Sequence, residues 1–335
     1  MARPLIRRKY LSLLIIIVSL FLILIYGKAI YNIIIFTHPL QHVQQIVREI
    51  EMKGSSESTI INSKPGTISF LKTTNKCKWL PKSNQSKLLI AVKSYVGNFE
   101  QRLVIRQTWG KTADRRIQVI FVVGCQGYTQ PLLQHEDELY QDIVQGSFKD
   151  IYNNNIFKTM ATYQWIVQLC SNVDHVFLTD DDYFVNVNNI MNYIGAEGYS
   201  ISKDVMYGYR ITWRRPFRTQ ESRWYVPNDE YSNLYWPPYL VGGAILTNID
   251  VIKKMNIAFP YVKHVRIDDA YIGIVANLLE ISLKHDNRFS VNYVAPEKMD
   301  TYFASHRYGE RGSLTNGWNK FTSNGLKNSP KTSDN

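Results

Sequence analysis

The chain has 335 residues, 39 Lys and Arg against 28 Asp and Glu, a formal net charge of +11 and 45% hydrophobic residues. That apolar share is enough for a sizeable core and excludes wholesale disorder, and the length allows one large domain or two small ones. The positive balance would suit an anionic partner, but the basic residues are scattered without a basic helix or a nucleic-acid motif, so nucleic acid is not the expected ligand.

Arg3, Arg7, Arg8 and Lys9 form a basic head (1–9) ahead of seventeen uncharged residues, Tyr10 to Tyr26. At helical rise such a run just spans a thin bilayer, and the charge excess upstream places the amino terminus in the cytoplasm. A single signal anchor is expected over 10–27. A cleaved signal peptide is the rival, but "GKA" is a poor cleavage site and the apolar run is long for that role. From 28 to 85 the chain is polar and irregular and reads as a stem, although "QHVQQIVREIEM" can form a short helix. The stem carries a glycosylation signal, "NQS", at Asn84. Three cysteines, Cys77, Cys125 and Cys170, allow at most one internal bridge.

A compact domain is expected over 86–310. "KLLIAVKS" is a buried-strand pattern, "NFEQRLVIRQTWG" a helix closed by Gly110, and "RIQVIFVVG" a second strand. After the acidic segment "QHEDELYQDI" comes "NIFKTMATYQWIVQLC", with Ile156, Met160, Tyr163 and Val167 at helical spacing, then the strand "HVFLT". Alternating strands and helices predict an α/β domain with a mostly parallel sheet covered by helices. An aromatic, proline-rich segment follows, then a helix near "IDDAYIGIVANLLEI". The tail, 311–335, is rich in Gly, Ser, Asn and Lys and is expected to be flexible.

The strand "HVFLT" runs straight into Asp180, Asp181 and Asp182. In open α/β sheets ligands bind beyond the carboxyl ends of the strands. A solvated or calcium-structural turn would account for the triplet, and so would a hard divalent cation such as Mg2+ or Mn2+ that keeps positions for water and diphosphate oxygens. Asp268 and Asp269 fall at a helix start, where carboxylates cap the exposed amides or where one can serve as a general base. Gly242 and Gly243 lack the wider phosphate-loop pattern and read as a close backbone approach or turn.

Taken together, "EQRLVIRQTWG", "FVVG", "DDDYFVNV", "RWYVPNDEY", "WPPYLVGG" and "DDAYIG" resemble, in order and spacing, the β-1,3-galactosyltransferase and β-1,3-N-acetylglucosaminyltransferase family over roughly 86–308. The resemblance implies a GT-A type nucleotide-sugar-binding fold, anchored as a single-pass type II protein in the Golgi membrane with its catalytic domain lumenal. It implies an inverting, Mn2+-dependent transfer from a UDP-sugar, with UDP-galactose the expected donor, to the 3-hydroxyl of a terminal sugar on a lipid- or protein-linked glycan. Asp182 matches the metal ligand and His306 in "YFASHRYG" the histidine that completes the site, while Asp180 and Asp181 would position the donor. Asp269 matches the base. Arg102 and Arg106 occupy the family's arginine-rich helix, where contact with diphosphate and pairing to local acids are both open. Trp224, Tyr225, Trp236 and Tyr239 are acceptor-side candidates, because aromatic faces stack on sugars, whereas Trp109 reads as core.

The chain departs from the family at Leu178, where a lysine commonly precedes the triplet, at Asp268 and Ala270, which stand for Glu and Val, and at Leu240, where a cysteine is often found. The alternatives are a β-1,3-N-acetylglucosaminyl- or N-acetylgalactosaminyltransferase of the same fold, an inactive sugar-binding or partner-stabilising membrane protein, and a metal-dependent hydrolase. An N-acetyl donor would need more room and an amide partner, and galactose would need recognition of its axial hydroxyl.

Overall fold

A computed structural model describes residues 16–22, 40–62, 68–79, 85–195 and 204–328. Residues 16–22 are helical (α1), with Ile16, Ile17 and Phe21 exposed. The rest of the expected anchor lies outside the described residues, as does Asn84. Among the described residues no helix is long and apolar enough to cross a membrane.

The ordered chain runs through α2 (Leu40–Lys53), β1 (Phe70–Lys72), β2 (Leu88–Lys93), α3 (Phe99–Gln107), β3 (Ile117–Cys125), α4 (Gln130–Tyr140), β4 (Ile143–Lys149) and α5 (Asn155–Leu169). It continues through β5 (His175–Asp180), β6 (Phe184–Val185), α6 (Val187–Gly195), β7 (Val205–Ile211), β8 (Tyr239–Asn248), α7 (Ile249–Ala258), α8 (Asp268–Leu278) and β9 (Ser282–His285). Two short strands, β10 (Phe289–Ser290) and β11 (Ala304–Ser305), precede α9 (Ser313–Asn328).

Eight strands form one sheet in the order β1-β4-β3-β2-β5-β8-β7-β9. The run from β4 to β5 is parallel throughout, and β8 then pairs antiparallel with both β5 and β7. The expected α/β domain with a mostly parallel sheet is therefore present. Pleating divides β2 between two cores: Leu89 and Ala91 join α5, α7 and α8 on one face, while Leu88, Ile90 and Val92 join α3 and α6 on the other. Such nearly continuous apolar strands are what a parallel sheet buried on both faces requires.

Two stretches expected outside the domain are folded onto it. In α2, Val43, Ile46 and Val47 form a buried stripe, and the Gln44 side chain donates to Leu278 O of α8 at 3.0 Å. β1 pairs with β4, and Cys77 is bonded to Cys170. Residues 40–62 and 68–79, on the stem side of the boundary at 85, are thus packed with the domain. In the tail, Leu314 is buried, and Trp318 and Phe321 pack on Phe184 at 5.7 and 5.5 Å between ring centroids. Positions 314, 318 and 321 share one helical face, a stripe that the Ser, Asn and Gly around it conceal.

Candidate active site

Strand register builds the centre. Lys93 stands opposite Asp180 in the parallel β2–β5 pair, and pleating turns both toward α5 and α8. Lys93 Nζ lies 3.2 Å from Asp180 Oδ1 and 3.0 Å from Asp268 Oδ2 at the start of α8. Thr159 Oγ1 of α5 donates to the same Asp268 oxygen at 3.0 Å. Burial works against the Lys93 ammonium, but Asp180, Asp268 and Asp269 together outweigh it and raise its pKa well above the ordinary value.

The two carboxylates of α8 are driven apart in proton affinity. Burial pushes both up, but at Asp268 the charge and hydrogen bond of Lys93, with the Thr159 hydroxyl, win and lower its pKa. Asp269 is pushed up to about 8, first by burial and then by repulsion from Asp268, with Lys93 opposing and Asp180 adding to the rise. The backbone of Gly242 hydrogen-bonds the Asp269 carboxylate. A Cβ at 242 would run into that carboxylate and one at 243 into the Tyr183 ring, so both glycines permit close approach, as their sequence suggests.

The aspartate triplet splits three ways. Asp180 keeps Lys93, and burial moves its pKa to about 6. Asp181 turns inward, accepting from Ser94 Oγ at 2.7 Å and Asn98 Nδ2 at 2.9 Å, so it fixes the turn. It is largely buried, and its carboxylate engages the scaffold. Asp182 meets His306, with Oδ2 3.0 Å from Nε2.

That meeting is also set by register, since β11 pairs antiparallel with β6 through Ser305 and Phe184, bringing His306 onto Tyr183 with ring centroids 4.9 Å apart. His306 Nδ1 lies 3.2 Å from Val291 O, a contact that calls for the proton on Nδ1 and leaves Nε2 facing Asp182. The hydrogen bond with Asp182 raises the His306 pKa. Arg307 follows with a φ of 71°, an uncommon left-handed conformation, and Tyr308 N donates to Asp182 O at 2.9 Å.

These groups suit a divalent cation. Asp182 Oδ1 is buried without a hydrogen-bond partner, and His306 presents a ring nitrogen beside it. Among the described residues no three His, Cys, Asp or Glu side chains converge as a preformed metal cage. The chain offers two ligands, and the remaining positions would fall to water and substrate oxygens, as is common for Mg2+-like ions.

Two cavities of about 590 and 390 Å3 flank the triplet and share Lys93, Tyr152, Asn155, Asp180, Asp182 and Arg223 as a common wall. The larger extends over Ser94-adjacent Tyr95, Asp150 and Lys158 at the ends of the parallel strands. The smaller holds Asp269 and His306 together with Trp224, Trp236 and Tyr239. Of the four aromatic candidates, Tyr225 is the exception: it is absent from the cavity wall and sits beneath Arg266, 6.0 Å from guanidinium carbon to ring centroid.

Arg102 and Arg106 are not diphosphate contacts. Arg102 is fully buried, spending its donors on Glu136, Ser94 Oγ, Tyr95 O and Val96 O. Arg106 pairs with Glu136 at 2.7 Å and Asp142 at 2.8 Å and lies over the rings of Phe121 and Tyr140. The acidic segment after β3 supplies their partners. Trp109 is core, donating to Tyr183 O at 3.0 Å. Sequence reasoning passed over Lys93 and Arg223. A lone lysine ending an otherwise apolar strand was the available signal for the first, and Arg223 had none apart from its aromatic neighbours.

The galactosyltransferase family model matches residues 100–287, more than half of the chain, from the second residue of α3 to just past β9. The chain belongs to that family. The matched span holds the triplet and Asp269 but stops short of both Lys93 and His306. Among its relatives, a β-1,3-galactosyltransferase (brn) of Drosophila melanogaster is 29% identical over 76% of this chain and 80% of its own length. An N-acetyllactosaminide β-1,3-N-acetylglucosaminyltransferase of Homo sapiens (number 2) is 32% identical over 56% of this chain and 49% of its own. Against several such N-acetylglucosaminyltransferases the chain spans only about half the relative's length. A solved bifunctional glycosyltransferase, WbbM in its apo form, overlays with a TM-score of 0.36 at 9% identity over 69% of this chain and 47% of its own, too slight a likeness to bear on function.

Proposed function

We propose that this protein is an inverting β-1,3-glycosyltransferase that moves a sugar from a UDP donor to the 3-hydroxyl of a terminal sugar, with galactose as the donor sugar. The observation that carries the reading is the convergence of Asp180, Asp182, His306 and Asp269 on one cleft formed by two joined cavities. The larger cavity, beyond the parallel strand ends, is the donor side, and the smaller, with Asp269 and the aromatics, the acceptor side.

In the reaction Asp269 accepts the proton of the attacking hydroxyl, and its raised proton affinity suits a base working near neutral pH. The hydroxyl oxygen bonds to the anomeric carbon as the bond to UDP breaks on the opposite face, which inverts an α-linked donor to a β product. Lys93 keeps Asp268 and Asp180 ionised and oriented beside the base. Asp182 and His306 would hold Mn2+, which when bound supplies neutralisation of charge on the departing diphosphate.

A second donor, UDP-N-acetylglucosamine, is favoured by the relatives that bear that activity in their names. The Golgi membrane is the proposed location, supported by the basic head, the apolar run 10–26 and the Cys77–Cys170 bridge, a bond that forms in secretory compartments rather than the cytosol.

The test is a mass-spectrometric product assay on the purified protein with UDP-galactose, UDP-N-acetylglucosamine and UDP-N-acetylgalactosamine against mixed sugar acceptors, with Mn2+ or chelator. A metal-dependent hexose increment that disappears in Asp182→Asn is expected, and linkage analysis then reads the β-1,3 bond. An N-acetylhexosamine increment would replace the donor assignment. Folded protein that releases free sugar without extending any acceptor would overturn the transferase reading.

A further inference from the structure

The segment between β7 and β8 carries three arginines at the mouth of the cleft: Arg214 and Arg215 on the acceptor side, and Arg223 on the wall shared by both cavities. Their surroundings differ from those of the six arginines that are paired with acids. Arg102, Arg106, Arg116, Arg266, Arg288 and Arg311 each meet a carboxylate at 3.1 Å or less. Among the described residues, none of the three at the cleft has a carboxylate within ion-pair distance.

They are held by aromatic rings instead. Arg214 lies 5.5 Å from the Phe217 centroid and Arg215 5.1 Å from that of Tyr235, whose hydroxyl accepts from Arg215 at 3.1 Å. Arg223 lies 4.4 Å from the Tyr152 centroid. A guanidinium packed on a ring keeps its edge, with its N–H fork, free for a planar anion.

The support beneath them is firm. Arg218 Nη1 and Nη2 donate to Val226 O and Tyr231 O, both at 2.6 Å, tying the segment to itself, and Trp236 N donates to Arg214 O at 2.8 Å. Trp213, just before the pair, adopts a φ of 56°, a conformation unfavourable for a bulky residue that persists only where the surroundings impose it.

The acidic floor of the cavity, Asp180, Asp182, Asp268 and Asp269, has its own neighbours: Lys93 touches Asp180 and Asp268, His306 touches Asp182, and none of the four forms an ion pair with the arginines of the rim. Arg223, facing both cavities, is placed for the donor's diphosphate, which leaves Arg214 and Arg215 over the acceptor. Tyr239 lies within electrostatic reach of both Asp269 and Arg214 and lines the same cavity as Arg215.

We infer that Arg214 and Arg215 form a subsite for an anionic substituent, a sulfate or a carboxylate, carried by the acceptor glycan beside the hydroxyl that Asp269 deprotonates. The inference rests on the transferase reading for the word acceptor, and on the arginines alone for the anion.

The experiment measures affinity by titration calorimetry, without donor or metal, for a galactose-terminated disaccharide, the same disaccharide bearing one 6-sulfate, and a uronate-terminated disaccharide. At low salt the anionic probes should bind roughly ten- to a hundredfold more tightly than the neutral one, the range of a charge-assisted contact, and the gap should narrow as salt rises. In Arg214→Gln/Arg215→Gln the ratio of anionic to neutral affinity should fall toward one. Arg214→Lys/Arg215→Lys, which keeps charge but loses the fork, should keep only part of it, with thermal melting confirming that both variants fold. Equal binding of neutral and anionic probes by the unaltered protein would overturn the subsite, as would a preference that survives the glutamine change. Turnover with the same acceptors separates the two readings. Extension of the neutral disaccharide without any anionic preference would remove the subsite and leave the transferase standing. Arginine-dependent binding of the anion with no acceptor extended would do the reverse.

Discussion

Asp268 and Asp269 are chemically identical neighbours given opposite tasks by what touches them. Lys93 and Thr159 secure the first as an anion, while burial and the charges around it leave the second with a raised proton affinity. Environments that drive two carboxylates apart in this way separate a structural charge from a catalytic base. The acidic limb of kcat/KM should therefore lie near pH 8, far above the ordinary carboxylate range, and a pH–rate profile at fixed metal would read it directly. Asp269→Asn should lower kcat by about 10²- to 10⁴-fold, the usual worth of a positioned base. The same change should help folding, with a definite sign. A group whose folded pKa is raised favours the folded state below its unfolded pKa near 4 and loses that contribution as pH climbs through about 8. The asparagine variant should thus gain more in Tm at pH 8 than at pH 5, relative to the unaltered protein. Gly242→Ala should impair turnover more than stability, because the added methyl displaces the Asp269 carboxylate; a kcat loss with a nearly unchanged melting curve is the expected result.

At the scale of elements, α3 and α4 are joined by ions that sequence alone could not assign. Arg102 and Arg106 share Glu136, and Arg106 also takes Asp142, all within largely buried surroundings. Removing one partner leaves charge stranded, so Arg102→Met should cost about 3–5 kcal/mol in a denaturant titration. It should also loosen Ser94, and through it Asp181. The arginines thus act on the site at one remove, holding the turn that bears the triplet. Local pattern did reveal the elements themselves: the apolar runs at 88–93 and 117–125, the helical spacing of Ile156, Met160 and Tyr163, and the strand ending in carboxylates are all where periodicity put them. The partners of Arg102 were illegible because Glu136 is 34 residues away, and a charge on an amphipathic helix looks alike whether water or a guanidinium receives it. The stripe Val43, Ile46 and Val47 was readable as a helix but not as part of the domain, since its receiving surface on α7 and α8 comes more than 200 residues later.

At the scale of the whole sheet a parallel run from β4 to β5 meets the antiparallel strands β8 and β7, and the cleft lies across their join. β2 and β5 deliver Lys93 and Asp180, β8 and α8 deliver Gly242 and Asp269, and the separate strand pair β6–β11 brings His306 to Asp182. That distribution explains why His306 was the residue least supported by local pattern: its placement depends on a two-residue strand pairing, and it stands 124 positions from Asp182. The Cys77–Cys170 bridge closes a loop of 93 residues between the ordered entry segment and the end of α5. Its removal by Cys77→Ser/Cys170→Ser should lower stability by roughly 2–4 kcal/mol, measured by denaturant unfolding, while leaving the cleft residues in place. The arginine-bearing segment between β7 and β8 has a different relation to the fold. Some of its bracing contacts, from Arg218 to Val226 O and Tyr231 O and from Trp236 onto Tyr231, lie within itself, and others pin it to the domain: Glu230 pairs with Arg266 at 2.7 Å and Asp229 O accepts from Lys263 at 2.6 Å. Exchanging the segment therefore means exchanging those outside partners with it. Grafting the corresponding stretch of a relative between Ile211 and Tyr239, with matching residues at 263 and 266, would exchange the aromatic and arginine wall of the cleft while Asp269, Asp182 and His306 keep their mounts, and the same division would let a lineage vary that wall without rebuilding the carboxylates behind it.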